Sequence, residues 1–295
     1  MDTASLSTAI AERNPDDIVI ETWLGTHKPH SQRAYRHDID ALRKAIEKPL
    51  QHVTLADLQV YAGTLTGAPA TRARAVNAIK SLFAFARATG YTPFDVAMPL
   101  QVPDVPDTLA ERILLEKQVT RLIDGEKNAR NHAILSLLYY AGLRVSELTG
   151  LEWRNVTERQ EGGGYVSAFG KRGKTRAIVI SQELYVELLS LQGDAGAHDP
   201  VFLSREGGSL TAGQVENIVK QAALRVHLAT FKDAKGVMRS HVSPHWLRHC
   251  FASHLLDRGA PIALVQQTLG HASLVATSRY THVHPDASIL QYLPQ

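Results

Sequence analysis

The segment SPHWLRH, residues 243–249, brings together groups suited to a phosphate whose proton inventory must change. Ser243 suits a helix N-cap and Pro244 the first helical position, with the helix running to about Asp257 and Gly259 closing it. His245 and Arg248 stand three apart, so an imidazole and a guanidinium share one face of the first turn. The N–H groups of that helix end attract anions as well. The other reading is a zinc pair, His245 and His249 at i, i+4. No carboxylate or thiolate completes a metalloprotease-like motif, and Cys250 falls on a different face.

Four further residues lie in telling contexts. A second helix, Pro261–Leu269, takes Gly270 as its C-terminal stop, and its end would hold His271. Tyr280 follows nine residues later in SRYTHV; taken alone, it reads as core packing. Arg144 sits in YYAGLRVSELTGL, between Leu143 and Val145, where it reaches a partly buried site and needs an anionic partner. Glu147, three residues on, offers a structural ion pair, and Gly142 permits a sharp turn just before it. Lys171, at the lip of the turn GKRGK, is ordinarily a solvated lysine; it is also placed to reach from a β-turn into a groove.

The elements that must position these residues follow from periodicity. The first hundred residues read as helices: His30–Glu47, Thr54–Leu65 and Pro69–Thr89. Thr54 serves as N-cap with Asp57 in the capping-box position, and Gly90 stops the third helix. Pro93, Pro99, Pro103 and Pro106 then mark an extended linker at about residues 92–107. Helices resume at Leu115–Asp124 and Asn128–Tyr140. Gly164–Phe169 and Thr175–Ser181 read as two strands joined by a hairpin turn at Gly173. From Gln182 onward the pattern is helical.

At 295 residues, with 44% hydrophobic and 21% charged residues, the chain can bury two cores and is not disordered. Its single cysteine excludes a disulfide framework and a multi-cysteine zinc site, and fits a reducing cytoplasm. No signal peptide and no membrane helix is read from it. Residues 1–24 carry net charge −4 and residues 25–104 net +4. An acidic lead before a basic first domain suits a polyanion, although an ordinary solvated surface has the same composition. Candidate phosphate or groove contacts on the basic helix faces are Arg33, Arg36, Arg72, Arg74 and Lys80.

Taken in order, AGLRVSEL, GKRGK, HWLRH and LGHASLVATSRYTHV resemble the tyrosine recombinase, or phage integrase, family across essentially the whole second half. SQRAYRHDI and NAIKSLFAFA resemble that family's helical core-binding domain, and the length is most like simple Xer-type members. The resemblance implies a mainly α fold. It comprises a helical core-binding domain with linker at 1–104 and a mostly helical catalytic domain with a small antiparallel sheet at 105–295, clamped round duplex DNA. It further implies that Tyr280 attacks a phosphodiester to form a 3′-phosphotyrosyl link and release a 5′-hydroxyl. Arg144 and Arg248 would hold the non-bridging oxygens, Lys171 would protonate the leaving oxygen, His245 would help move the tyrosine's proton, and His271 would hydrogen-bond the phosphate.

Fixed cations would then replace metal, and the covalent link would conserve bond energy, so no metal, nucleotide or other cofactor is expected. The expected partners are double-stranded DNA sites, a tetramer on two sites joined by exchange of the C-terminal tail, and a related recombinase or accessory protein. The expected location is cytoplasmic and nucleoid-associated, with chromosome or plasmid dimer resolution, or mobile-element integration and excision, as tasks. The rival functions are a type IB topoisomerase and a non-enzymatic DNA-binding protein such as a repressor; six filled catalytic positions argue against the second.

Overall fold

The computed structural model describes residues 14–169 and 175–270 together with Thr277, Ser278 and Tyr280. The chain divides into two compact units, Met1–Asp107 and Thr108–Gln295. Both are mainly α, and the small antiparallel sheets belong to the second.

The first unit contains α1 (Pro15–Gly25), α2 (Pro29–Ile46), α3 (Leu55–Thr64) and α4 (Pro69–Ala88). Local chemistry sets their starts. Pro29 and Pro69 occupy first-turn positions, where a missing N–H costs nothing. Thr54 and Asp57 form the full capping box: Asp57 N donates to Thr54 Oγ1 at 3.3 Å and Thr54 N donates to Asp57 Oδ2 at 2.9 Å. Trp23, Ile39, Leu42, Leu58, Ile79 and Phe83 meet in the core.

Two features differ from the sequence reading. Three of the five acids of the lead, Asp16, Asp17 and Glu21, lie on α1, and their charges are consumed within the unit. Asp17 pairs with Arg43 and Glu21 with Arg36, each at 2.6 Å. Asp16 is buried, accepting from Leu50 N at 3.0 Å and Tyr91 Oη at 2.6 Å. The proline-rich stretch is also not extended throughout. Ala97 and Leu100 are buried in the first core, and Lys80 Nζ donates to the carbonyls of Ala97, Met98 and Leu100. Burial of those two apolar side chains outweighs the extended bias of the prolines.

The second unit contains α5 (Glu116–Asp124), α6 (Ala129–Tyr140), α7 (Val145–Thr149), β1 (Val156–Glu158), β2 (Gly164–Phe169), β3 (Thr175–Ile180) and α8 (Gln182–Ser190). It continues with α9 (Ala212–Arg225), β4 (Thr230–Lys232), β5 (Met238–Ser240), α10 (Pro244–Asp257) and α11 (Ile262–Leu269). Every residue from Ala133 to Tyr139 is buried, so α6 is a central helix, packed against α5, α8 and α10. The sheet order is β1-β2-β3, all antiparallel, with Gly164 opposite Ile180 and Phe169 opposite Thr175. Val166, Ala168, Ile178 and Ile180 face the core on alternate positions. β1 and the β4–β5 hairpin were not read from the sequence: each strand has three residues, too few for an alternation to register. Gly173 lies outside the described residues.

Candidate active site

The site begins where α6 ends. Gly142 has φ +57, and a Cβ there would come within 2.5 Å of Phe251 Cδ1 on α10. Only glycine lets the backbone reverse so close beneath that ring. The reversal places Arg144 at the N-cap of α7. Its backbone N–H donates to Glu147 Oε2 and its Nη1 to Glu147 Oε1, each at 2.8 Å. The ion pair expected from the spacing is therefore formed.

A second anchor is the C-terminus of α11. The last carbonyls of a helix have no intrahelical partner and carry the negative end of its dipole. Here three successive ones accept from three arginines: Thr268 O from Arg176 Nε at 2.6 Å, Leu269 O from Arg248 Nη2 at 2.5 Å, and Gly270 O from Arg144 Nη2 at 3.2 Å. Gly270 closes the helix at φ +62, with Arg176 packed so closely that a Cβ would meet its Nη1 at 3.0 Å. Arg248, on α10, also donates from Nη1 to Gly142 O, which ties the glycine turn to the helix end.

Glu147 lies beneath all three guanidiniums. Arg176 donates to both of its oxygens at 2.8 Å, and Arg248 Nη1 stands 3.9 Å away. Its side chain is 2% exposed. Burial alone would raise the carboxyl pKa, but the hydrogen bonds and charges of Arg176 and Arg144 outweigh it and hold the group at about 2. Burial and the charge of Arg144 bring Arg248 down to about 9, against the opposing pull of Glu147. It remains a cation at neutral pH. The cluster thus keeps net positive charge around one carboxylate. Each guanidinium carries five N–H donors. Among the described residues, Arg144 and Arg248 each spend two side-chain nitrogens on protein acceptors. The arrangement fixes two forks and retains the charge to receive a phosphate.

Tyr280 is buried at 5% exposure, and its hydroxyl oxygen lies 2.7 Å from His249 Nδ1. A phenolate at Tyr280 is close enough to act on the charge of Arg248. His245 is exposed near the start of α10, its ring 6.4 Å from that of His249. Partial desolvation first, then the charges of Arg248 and Arg144, lower its pKa and favour the neutral ring. Ser243 occupies the N-cap, but its hydroxyl makes no capping bond. The described residues thus bring Arg144, Arg248 and Tyr280 into one network; Lys171 and His271 lie outside them.

Among the DNA-contact candidates, Arg36 is held by Glu21, Arg74 forks onto buried Asp38 at 2.9 and 3.0 Å, and Lys80 caps three carbonyls. Arg33 is exposed on α2, and Arg72 on α4 has a buried Nε without a hydrogen-bond partner. Cys250 is buried, accepts from Leu114 N at 3.2 Å, and has its thiol pushed up to about 12 by burial. Among the described residues no group of three His, Cys, Asp or Glu could hold a metal.

The sequence reading passed over two members of the network. Arg176 shares the face of β3 that buries Ile178 and Ile180. A charge on the core side of an apolar strand was the signal available. His249 stood in view as half of a zinc pair, but its partner Tyr280 is 31 positions away.

The sequence profile described as the phage integrase family matches residues 112–286, and that of its N-terminal SAM-like domain matches residues 25–90. Tyrosine recombinase XerC of Myxococcus xanthus is 34% identical over 276 residues, covering 86% of this chain and 87% of the relative. Tyrosine recombinase XerD of Vibrio vulnificus is 33% identical over 268 residues, covering 85% and 84%. The fold is shared with XerH recombinase in a post-cleavage complex with difH substrate (TM-score 0.69, 21% identity, 88% and 78% covered). It is also shared with a lambda integrase dimer bound to a core site (TM-score 0.69, 17% identity, 91% and 97% covered). Among the described residues no helix is long and apolar enough to cross a membrane.

Proposed function

The chain belongs to the phage integrase family and is a site-specific tyrosine recombinase acting on DNA, and from that premise we propose that Tyr280 is its nucleophile and Arg144 and Arg248 its phosphate clamp. The observation that carries this reading is the convergence of both arginines on Glu147 and the α11 C-terminus, with the Tyr280 hydroxyl within reach of Arg248's charge.

A phenol of pKa ~10 is a weak nucleophile at neutral pH and needs a base and surrounding positive charge. In the transition state the phosphorus gains charge on its oxygens, and each preorganised donor contributes ~10²–10³ in rate. The forks of Arg144 and Arg248 are preorganised because Glu147, the Leu269 and Gly270 carbonyls at the end of α11 and the Gly142 carbonyl hold them. Tyr280 Oη bonds to phosphorus as the 5′-oxygen departs. Lys171 supplies the proton to that oxygen, and His271, next to Gly270, hydrogen-bonds the phosphate. The first unit, the core-binding domain within 1–104, adds phosphate contacts through Arg33 and Arg72, whereas Arg36, Arg74 and Lys80 are engaged by Glu21, Asp38 and the carbonyls of Ala97, Met98 and Leu100.

Four such subunits assemble on two sites in the cytoplasm, on the nucleoid, each tail docking on its neighbour, with a related recombinase or accessory protein setting the order of cutting. The tasks that fit this activity are chromosome or plasmid dimer resolution and mobile-element integration or excision. Trapping on a nicked suicide substrate tests the nucleophile. Tyr280→Phe binds the site but forms no covalent adduct; an adduct at the wild-type level overturns the assignment and points to Tyr292.

A further inference from the structure

The immediate partner of the proposed nucleophile is His249, and the sequence reading gave the phenolic proton to His245. The described contacts favour a different division of labour. His249 Nδ1 is 2.7 Å from the Tyr280 hydroxyl oxygen, a full-strength hydrogen bond. The two rings are 5.6 Å apart and tilted by 44°. His249 directly follows Arg248 on α10, so the residue beside the phenol is covalently tied to one arm of the phosphate clamp. It is half-buried, against a tyrosine that is 5% exposed, so bulk water has poor access to the phenolic oxygen. A buried hydroxyl that must lose a proton during attack needs an acceptor already in contact with it.

We propose that His249 is a further catalytic residue, the general base that takes the Tyr280 proton. This rests on Tyr280 being the nucleophile. In the cleavage step the Nδ1 lone pair accepts the phenolic proton while Tyr280 Oη bonds to phosphorus. The ring must therefore start as the Nε2–H tautomer, and it becomes an imidazolium. The phosphorus–O5′ bond breaks, and O5′ takes a proton from the general acid assigned to Lys171. In rejoining, the 5′-hydroxyl attacks, the phosphotyrosyl bond breaks, and the imidazolium returns its proton to the phenolate. Protons balance over the cycle, and no co-reactant enters. A phenol is a far weaker acid than an imidazolium, so the transfer completes only as the new P–O bond forms. His245, exposed one helical turn away, is left for the phosphate side.

The competing role is purely geometric, with His249 holding the phenol in place and no proton passing. Three variants separate the two in single-turnover adduct formation on a nicked suicide substrate, with protein saturating the DNA so that affinity drops out. His249→Asn keeps an amide group near the position of Nδ1 but cannot take a proton; His249→Ala removes both functions; Tyr280→Phe is the control. We expect His249→Asn and His249→Ala both to cleave at least ~10²-fold more slowly than wild type, the scale of one positioned base. Added imidazole should restore His249→Ala in part and leave His249→Asn slow. A substrate with a 5′-bridging sulfur, whose leaving group needs no acid, should leave the defect in place. Near-wild-type cleavage by His249→Asn, no imidazole rescue, or rescue by the bridging sulfur each overturns the proposal. Adduct formation by Tyr280→Phe, or none by wild type, instead overturns the nucleophile assignment itself.

Discussion

Replacing Glu147 by Gln removes one charge and almost no volume from the centre of the arginine cluster. In the native protein the carboxylate accepts from Arg144 and Arg176 and faces Arg248 at 3.9 Å. Its pKa is held at about 2 against an ordinary value of 4.5. At about 1.36 kcal/mol per unit, the ionised form contributes about 3 kcal/mol at neutral pH. That lies at the lower edge of the roughly 3–5 kcal/mol lost when one partner of a buried ion pair is removed. For a unit of this size, about 2–4 °C of Tm accompanies each kcal/mol, so Glu147→Gln should melt roughly 6–12 °C below wild type at pH 7.

The same shift fixes the pH dependence. Because the folded-state pKa is depressed, the stabilisation is fully present above about pH 4.5 and is lost as pH falls towards 2. The gap between wild type and variant should therefore narrow through that window, where other acid-labile groups act on both proteins alike. Calorimetric melting of the two proteins from pH 7 to 2.5 provides the measurement. A gap below about 3 °C at pH 7, or one that stays constant on acidification, refutes the assignment of Glu147 as the charge that anchors the cluster. Adduct formation by Glu147→Gln should also fall, by up to the ~10²–10³ that one preorganised donor supplies.

Gly142→Ala forces a side chain into left-handed backbone and against Phe251; strain of about 1–2 kcal/mol plus overpacking of about 1–3 should appear as a lower Tm. Cleavage should proceed at the same rate in excess EDTA, since fixed cations stabilise the phosphate; loss on chelation with recovery on adding a divalent ion overturns this. Binding to the target site should weaken steeply with salt, with a linear log–log slope that becomes shallower by about 1 for each phosphate contact removed, Arg33→Ala being the first to measure. Deleting residues 287–295, which lie outside the described residues, should spare binding to a single site and sharply reduce recombination between paired sites; a normal rate would show the tail to be dispensable.

How much of this was legible beforehand depends on the distance over which each signal acts. The capping box at Thr54, the proline opening α4, the Pro244–Asp257 helix and the left-handed glycines at 142 and 270 rest on residues within a turn of one another. Their types and spacing determined them, as they did the pairing of Arg144 with Glu147. The phosphate-suited groups and the family pattern were equally a property of the string. What the string left open was which group touches which across the core. Arg176 reaches Glu147 over 29 positions and Thr268 over 92, and Arg144 reaches Gly270 over 126. His249 rather than His245 meets Tyr280 because α10 turns that side of its face towards the buried tyrosine. The acids of α1 likewise found partners only once α1 packed beside α2. Local propensity acts within one helical turn or strand. Partner choice across the core is made by packing, because burying a charge or hydroxyl requires a partner wherever the fold supplies one.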